Sequence, residues 1–179
     1  AALAHERPGH AILVAIERAD LAIATGRQLD RALLHTLPPA TDRAGDGEPG
    51  GGGAAALWDD GGAVPLDPDV SLAHLPQALA DELEAVRPHR TIWTAYVDGL
   101  PVSFAYAPWR SARWFDVSVD TLREARQLGL GRLVASAMIR HEQAHARAPV
   151  WGADEHNHAS LRLARALGFV EVDALWVAV

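Results

Sequence analysis

Residues 117–132 read Val117-Ser118-Val119-Asp120-Thr121-Leu122-Arg123-Glu124-Ala125-Arg126-Gln127-Leu128-Gly129-Leu130-Gly131-Arg132. The stretch starts as the end of an apolar strand and passes into a loop with two glycines. It then opens a helical stripe of Leu130, Val134, Ala137, Met138 and His141. A strand feeding a Gly-containing loop at a helix N-terminus is an anion cradle. Free backbone N–H groups and the positive helix end converge there, and glycine lets the chain approach a diphosphate closely. The local charge suits it, because within 121–147 five arginines (123, 126, 132, 140, 147) face only Glu124 and Glu142.

The flanking elements follow from the same kind of pattern. Leu75, Leu79 and Leu83 recur every fourth residue and predict a helix over Ser71–Arg87. Thr91–Val97 and Pro101–Ala107, joined by Asp98-Gly99, read as a hairpin, since that dipeptide tolerates the positive φ of a tight turn. A strand over Ala112–Val119 leads into the Gly loop, and Gly131–Arg147 is helical. Pro149–Ala153 is a short strand, Ala159–Leu167 a helix stopped by Gly168, and Val170–Val179 a last strand. Helix, three antiparallel strands, helix, strand, helix, strand is an α/β chain with a mixed sheet (α+β in type).

The first part is plainer. His10–Ile16 and Leu21–Ala24 read as a hairpin, and Gln28–Leu37 as a helix ended by Pro38-Pro39. Thr41–Gly53 is a Gly-rich loop, and Ala54–Trp58 a short strand. The expected division is therefore a small N-terminal segment or lobe over 1–70, carrying no chemical motif, and a principal domain over 71–179. The first region is expected either to complete the sheet of the principal domain or to form a small appended lobe.

Composition bounds the function. The chain has 179 residues, 49% hydrophobic and 22% charged, enough for one compact domain or a domain plus an appendage. No apolar run approaches the ~18 residues of a membrane span, so no membrane partner is expected. The chain opens AALAHERPGH without Met or a basic-then-apolar leader, and reads as an excised piece rather than a secretory precursor. Cys is absent, which removes disulfides and cysteine nucleophiles; together these features point to the cytoplasm. The net charge is −7, and every one of the 16 basic residues is Arg. A nucleic-acid partner is not expected, because phosphate contacts need a cationic face.

Further along, Asn157 follows Gly131 by 26 residues, with Ser160, Leu163, Leu167 and Gly168-Phe169 after it. On these residues the sequence resembles the GNAT superfamily of N-acetyltransferases. Arg126–Gly131 matches their Q/R-x-x-G-x-G/A signature, and the Asn-to-Leu-Gly-Phe run resembles their second acetyl-CoA motif. The resemblance covers about 90–179 and does not reach 1–70. It implies a GNAT-like acyltransferase fold with an N-terminal extension, and transfer of an acetyl or other short acyl group from acyl-CoA to a primary amine. Acetyl-CoA, or another acyl-CoA, is the implied cofactor. The backbone of Val117, Ser118 and Val119 would pair with the pantetheine arm. The N–H groups of Arg126, Gln127, Leu128, Gly129, Leu130, Gly131 and Arg132 would hold the diphosphate, and Asn157 and Ser160 would meet the cofactor arm or the amine.

Direct transfer to an amine requires a base for the ammonium proton. The family commonly takes it from the central strand, where Asp116 stands; Glu155 and His156 are rivals. Many members present a Tyr seven residues after the Asn as acid to the departing thiolate, and Ala164 stands there. His158 or Ser160 could replace it, or no protein acid is needed, or the module binds acyl-CoA without turning it over. The acceptor is a small-molecule or peptide amine, and edge strands such as Ala174–Val179 suit a homodimer.

Two further patterns compete. His141-Glu142-Gln143-Ala144-His145 matches HExxH, the zinc-hydrolase pattern in which two His one turn apart bind metal. Against it, both His close a helix, where a cation suits the dipole, so no metal is expected. Six Trp (58, 93, 109, 114, 151, 176) raise the idea of an aromatic platform. Burial is expected for Trp93, Trp114 and Trp151, whereas the Trp109-Arg110 loop is placed to line an acceptor pocket.

Overall fold

The computed structural model describes residues 12–14, 29–38 and 62–178. Apart from a strand β1 at Ile12–Val14, the expected first hairpin lies outside the described residues, as do the Gly-rich loop and the strand at Ala54–Trp58. The chain divides into two compact units, Leu37–Trp151 on the one hand, Ala1–Thr36 with Gly152–Val179 on the other.

The larger unit is built on a four-stranded antiparallel sheet. Its order is β3 (Ala63–Pro65), β4 (Trp93–Val97), β5 (Leu100–Tyr106) and β7 (Ser118–Thr121). The β4–β5 turn is as expected, with Asp98 at φ 51° and Gly99 at φ 78°, the left-handed pair of a two-residue hairpin. Helix α1 (Gln77–Val86) starts six residues later than the leucine spacing suggests. Pro76 is the reason, because its ring pushes Leu75 out of the helical region and fixes Pro76 as the cap. Leu72, Leu75 and Leu83 join Phe104, Tyr106, Val102 and Leu122 in one apolar cluster. Phe104 is fully buried, a side chain whose truncation costs about 3–5 kcal/mol.

Helix α2 (Leu130–Ala144) buries Val134, Ala137 and Met138, the stripe read from the sequence. Before it, the expected strand Ala112–Val119 is broken in two. β6 (Trp114–Asp116) pairs in parallel with β8 (Ala148–Asp154), with Asp116 opposite Val150, while β7 pairs only with β5.

In the smaller unit, Gln28–Leu37 is not a helix. Residues Leu29–Thr36 form strand β2, antiparallel to β9 (Val170–Ala178), with β1 along the other edge of β9. On its far side β2 meets the end of β8, where the Glu155 N–H donates to the Arg31 carbonyl at 2.9 Å. The Leu29, Leu33 and Leu34 spacing fits a helical face, but a strand with neighbours on both edges finds its backbone partners there, and that context overrides local preference. Leu33 and His35 point inward and are buried. Residues 1–70 thus supply three described strands, β1 and β2 in this unit and β3 in the larger one. Helix α3 (His158–Ala166) ends in a Schellman turn, in which Gly168 at φ 86° lets the Phe169 N–H reach the Ala164 carbonyl at 3.0 Å.

Candidate active site

The site grows from one residue where a strand changes partner. The Val117 N–H donates to the Val150 carbonyl at 3.0 Å, the last rung to β8. From Ser118 onward the chain pairs with β5, Ser118 opposite Tyr106 and Asp120 opposite Phe104. Among the described residues β7 is the outer strand of its sheet, and its other edge presents main-chain groups that no described strand pairs with. The Tyr106 hydroxyl donates to the Asp120 carboxylate at 3.0 Å. Burial, with that carboxylate close by, pushes the phenol above its ordinary range.

β7 leads through a short 3-10 turn (Arg123–Ala125) into the Gly loop. Gln127 at φ 65° and Gly129 at φ 78° are both left-handed, which turns successive amides in one direction. Gly129 caps α2 with no side chain, and a Cβ there would meet nothing within 4 Å. Gln127, Leu128 and Gly129 are exposed, Leu128 to 63%, so among the described residues no packed side chain covers the turn. The N–H groups of Leu130 and Gly131 begin the helix, where the first turn has no acceptor of its own. The Arg126 Nε donates to the Thr121 carbonyl at 3.1 Å and ties the loop to the end of β7. The larger unit therefore presents an open strand edge followed by a turn of amides at the positive end of a 15-residue helix.

Asp116 sits immediately before the partner change. Burial pushes its carboxyl up to about 6, against a smaller opposing pull from the Val117 N–H. A carboxylate at that value is ionised at neutral pH yet basic enough to take a proton, the property a general base needs. The segment before it folds back as a tight hairpin that the sequence pattern does not reveal. The Asp116 N–H donates to the Trp109 carbonyl at 2.9 Å, the Ser111 N–H donates to the Trp114 carbonyl at 2.8 Å, and Arg110 bridges Phe115. In this register Arg110 and Phe115 share one face while Trp109, Trp114 and Asp116 share the other. Phe115 is buried, but Trp109 is 71% and Trp114 47% exposed. The expectation that Trp114 lies buried is corrected by this turn. Trp151 is buried as expected, and Trp93 is half-buried with its ring 5.7 Å from His141.

The remaining site residues lie in the smaller unit. The Asn157 side chain caps α3, accepting from the Ser160 N–H at 3.1 Å. Glu155 is ion-paired with Arg31 at 3.1 Å, both partly exposed. Ala164 is fully buried on α3.

The HExxH string has a different use. Glu142 is buried and bonded to Arg147 Nε, with Arg110 Nη1 at 3.2 Å from its other oxygen. Burial alone would raise its carboxyl, but Arg147 and then Arg110 outweigh it and hold the group below the usual carboxylate range. The glutamate that a zinc hydrolase would aim at water is thus spent on fastening α2 to the 109–116 hairpin. His145 Nδ1 bonds the His141 carbonyl at 2.8 Å. Among the described residues no three His, Asp or Glu gather as a metal site.

Residues 94–177 match the family model described as GNAT acetyltransferase. Several solved structures are similar in fold. An acetyltransferase of the GNAT family from Novosphingobium aromaticivorans matches at 18% identity and TM-score 0.57, over 97% of this chain and 68% of that one. A GCN5-related N-acetyltransferase-like protein from Streptococcus suis matches at 19% identity and TM-score 0.61, over 89% and 66%. A GNAT-family acetyltransferase from Colwellia psychrerythraea matches at 10% identity and TM-score 0.58, over 93% and 63%. At these identities the likeness is one of fold, and the chain spans about two-thirds of the length of these proteins. No curated protein sequence matches the chain.

Proposed function

The chain carries a GNAT acetyltransferase domain over residues 94–177, and from that premise we propose that it moves an acetyl or other short acyl group from acyl-CoA to a primary amine by direct attack. The observation that carries this reading is the change of strand partner at Val117, which leaves an open main-chain edge leading straight into the amide turn. An amide-bearing arm can add to such an edge as an extra strand, so Val117, Ser118 and Val119 are assigned to pantetheine. The amides of the turn from Arg126 to Arg132 at the α2 N-terminus are assigned to the diphosphate, whose charge they complement, with the Arg126 N–H also donating to the Arg123 carbonyl at 3.4 Å. When bound, acyl-CoA supplies a thioester whose thiolate, from a thiol of pKa ~8.5, leaves readily.

Asp116 is the proposed general base. It lies one residue from the open edge, and its raised pKa fits it to take the ammonium proton. Glu155, a rival candidate, is ion-paired with Arg31 at 3.1 Å. Asn157 and Ser160 keep their proposed contact with the cofactor arm, with the Asn157 carbonyl already engaged in capping. A second reading, an acyl-CoA sensor without turnover, is favoured by Ala164, which offers no hydroxyl. Among the described residues no helix is long and apolar enough to cross a membrane, and the cysteine-free sequence fits a reducing compartment such as the cytoplasm.

Calorimetry with CoA, followed by an amine screen for thiol release from acetyl-CoA, tests the proposal. Binding with turnover supports transfer, and binding without turnover supports the sensor. Failure of both CoA and acetyl-CoA to bind removes the proposal.

A further inference from the structure

The hairpin at 109–116 puts two large aromatic side chains where a soluble protein rarely leaves them. Trp109 is 71% and Trp114 47% exposed. Exposed apolar side chains clustered around a polar group are a mark of a binding site. Here the register is decisive. Trp109 lies directly across from Asp116, and Trp114 is two residues before Asp116 on the same strand. All three side chains therefore leave the same face, opposite to Phe115 and Arg110. Trp109, directly opposed to Asp116, stands ~5 Å from it at Cβ, and Trp114, two residues along the strand, stands ~7 Å away, so both indoles are within reach of whatever approaches the carboxylate.

The neighbouring strand continues the surface. Ala148 pairs with Trp114 and Val150 with Asp116, and both are half-buried, which adds an apolar floor. The hairpin itself is anchored from behind, through Arg110 to the buried Glu142, so the indoles are carried on a rigid support. We propose that Trp109 and Trp114 form the acceptor clamp beside Asp116 and select a monocationic primary amine carrying a flat apolar body, an arylalkylamine in class. This inference rests on the acyl-transfer reading above and names the acceptor that reading leaves open.

The chemistry of the patch separates this class from other amines. At neutral pH an alkylamine arrives as ammonium, which is attracted by both a carboxylate and an indole face. A flat ring stacks on indole, while a hydrated chain gains little from it. A polyamine or aminoglycoside brings several charges and calls for several carboxylates. Asp116 is the one acidic side chain of the 109–116 hairpin, and the exposed Arg113 at its tip disfavours a second positive charge. Transfer then balances: the ammonium gives one proton to Asp116, the freed amine nitrogen bonds to the acyl carbon, the carbon–sulfur bond of the thioester breaks, and the second proton lost from nitrogen ends on the departing thiolate, which leaves as the CoA thiol.

The test uses phenylethylamine, spermidine and a glycine-terminated peptide as acceptors on the whole chain. For phenylethylamine, Trp109→Ala and Trp114→Ala should each raise KM about tenfold, with kcat changed far less and with the CoA dissociation constant unchanged in calorimetry without acceptor. Trp114→Phe should recover most of the affinity, which a purely structural role would not explain. Spermidine as the best acceptor, or an unchanged KM in both alanine variants while transfer proceeds, overturns the clamp and leaves the acyl-transfer reading standing. Should no transfer be seen at all, direct titration of phenylethylamine still decides. Binding weakened in the Trp109→Ala, Trp114→Ala double variant supports the clamp, and absent or unaltered binding overturns it.

Discussion

Replacing Asp116 with Asn should move activity and stability in opposite directions. The carboxyl rises from 3.8 to about 6 because burial disfavours its charge. If it is the base, kcat/KM should fall about tenfold between pH 7 and pH 5, where its ionised fraction drops from about 0.9 to about 0.1. A carboxylate at the ordinary value would change by less than about 10% over that range. The Asn variant should lose roughly 10²–10⁴-fold in rate and the limb near pH 6 with it. For stability, the folded pKa lies above the unfolded one, so the native state holds the proton longer and stability falls as pH rises from about 4 to 6. The full cost is present above pH 6 and amounts to at most about 3 kcal/mol. Residual solvent contact and the needs of the new amide reduce the gain on substitution to about 1–2 kcal/mol at pH 7, vanishing below pH 4. Thiol release read with a pyridyl disulfide reagent, paired with denaturant melts at both pH values, measures the two effects. A variant that keeps the pH 6 limb, or one that is destabilised at pH 7, would refute the assignment.

Glu142→Gln should destabilise the chain by about 3 kcal/mol, since it strands two arginines around a buried site. The same pair contributes stability above the ordinary glutamate pKa that is lost as pH falls through its depressed folded value, so acid melts of the parent chain should show a loss below about pH 4 that the variant lacks. Gly129→Val should cost about 1–2 kcal/mol from backbone strain alone, because φ is 78° and the added atoms meet open space. Calorimetry should also show its affinity for CoA reduced. Asn157→Ala should cost about 1 kcal/mol through loss of the α3 cap, read as a lower denaturation midpoint; an unchanged midpoint would mean that the cap contributes nothing.

Much of this architecture was legible in the sequence because the signals were local. The Asp98-Gly99 turn, the α2 stripe and the Gly168 stop each depend on residues a few positions apart, and each falls where expected. Pro76 could also have been read as the start of α1. Leu29–Thr36 could not be read so, because its leucines satisfy a helical face as well as a strand, and only pairing with β9 distinguishes them. Trp109 could be singled out by position, yet its relation to Asp116 depends on a turn at Ser111–Arg113 that carries no strong turn signal. The use of Glu142 was hidden behind HExxH, since Arg110 lies 32 residues away.

From residue 71 onward the succession of helices and strands, the glycine turn before the long helix and an acidic residue, Asp116, within the strand segment that leads to it were written in the chain itself, because backbone conformational limits and side-chain periodicity act over one or two turns. The tertiary structure alone decided where one strand leaves β8 for β5, which face Asp116 shares with the two indoles, and that Glu142 pairs with Arg147 and Arg110. Those outcomes depend on which distant segments compete for the same hydrogen bonds and the same buried space, a competition that no local pattern records.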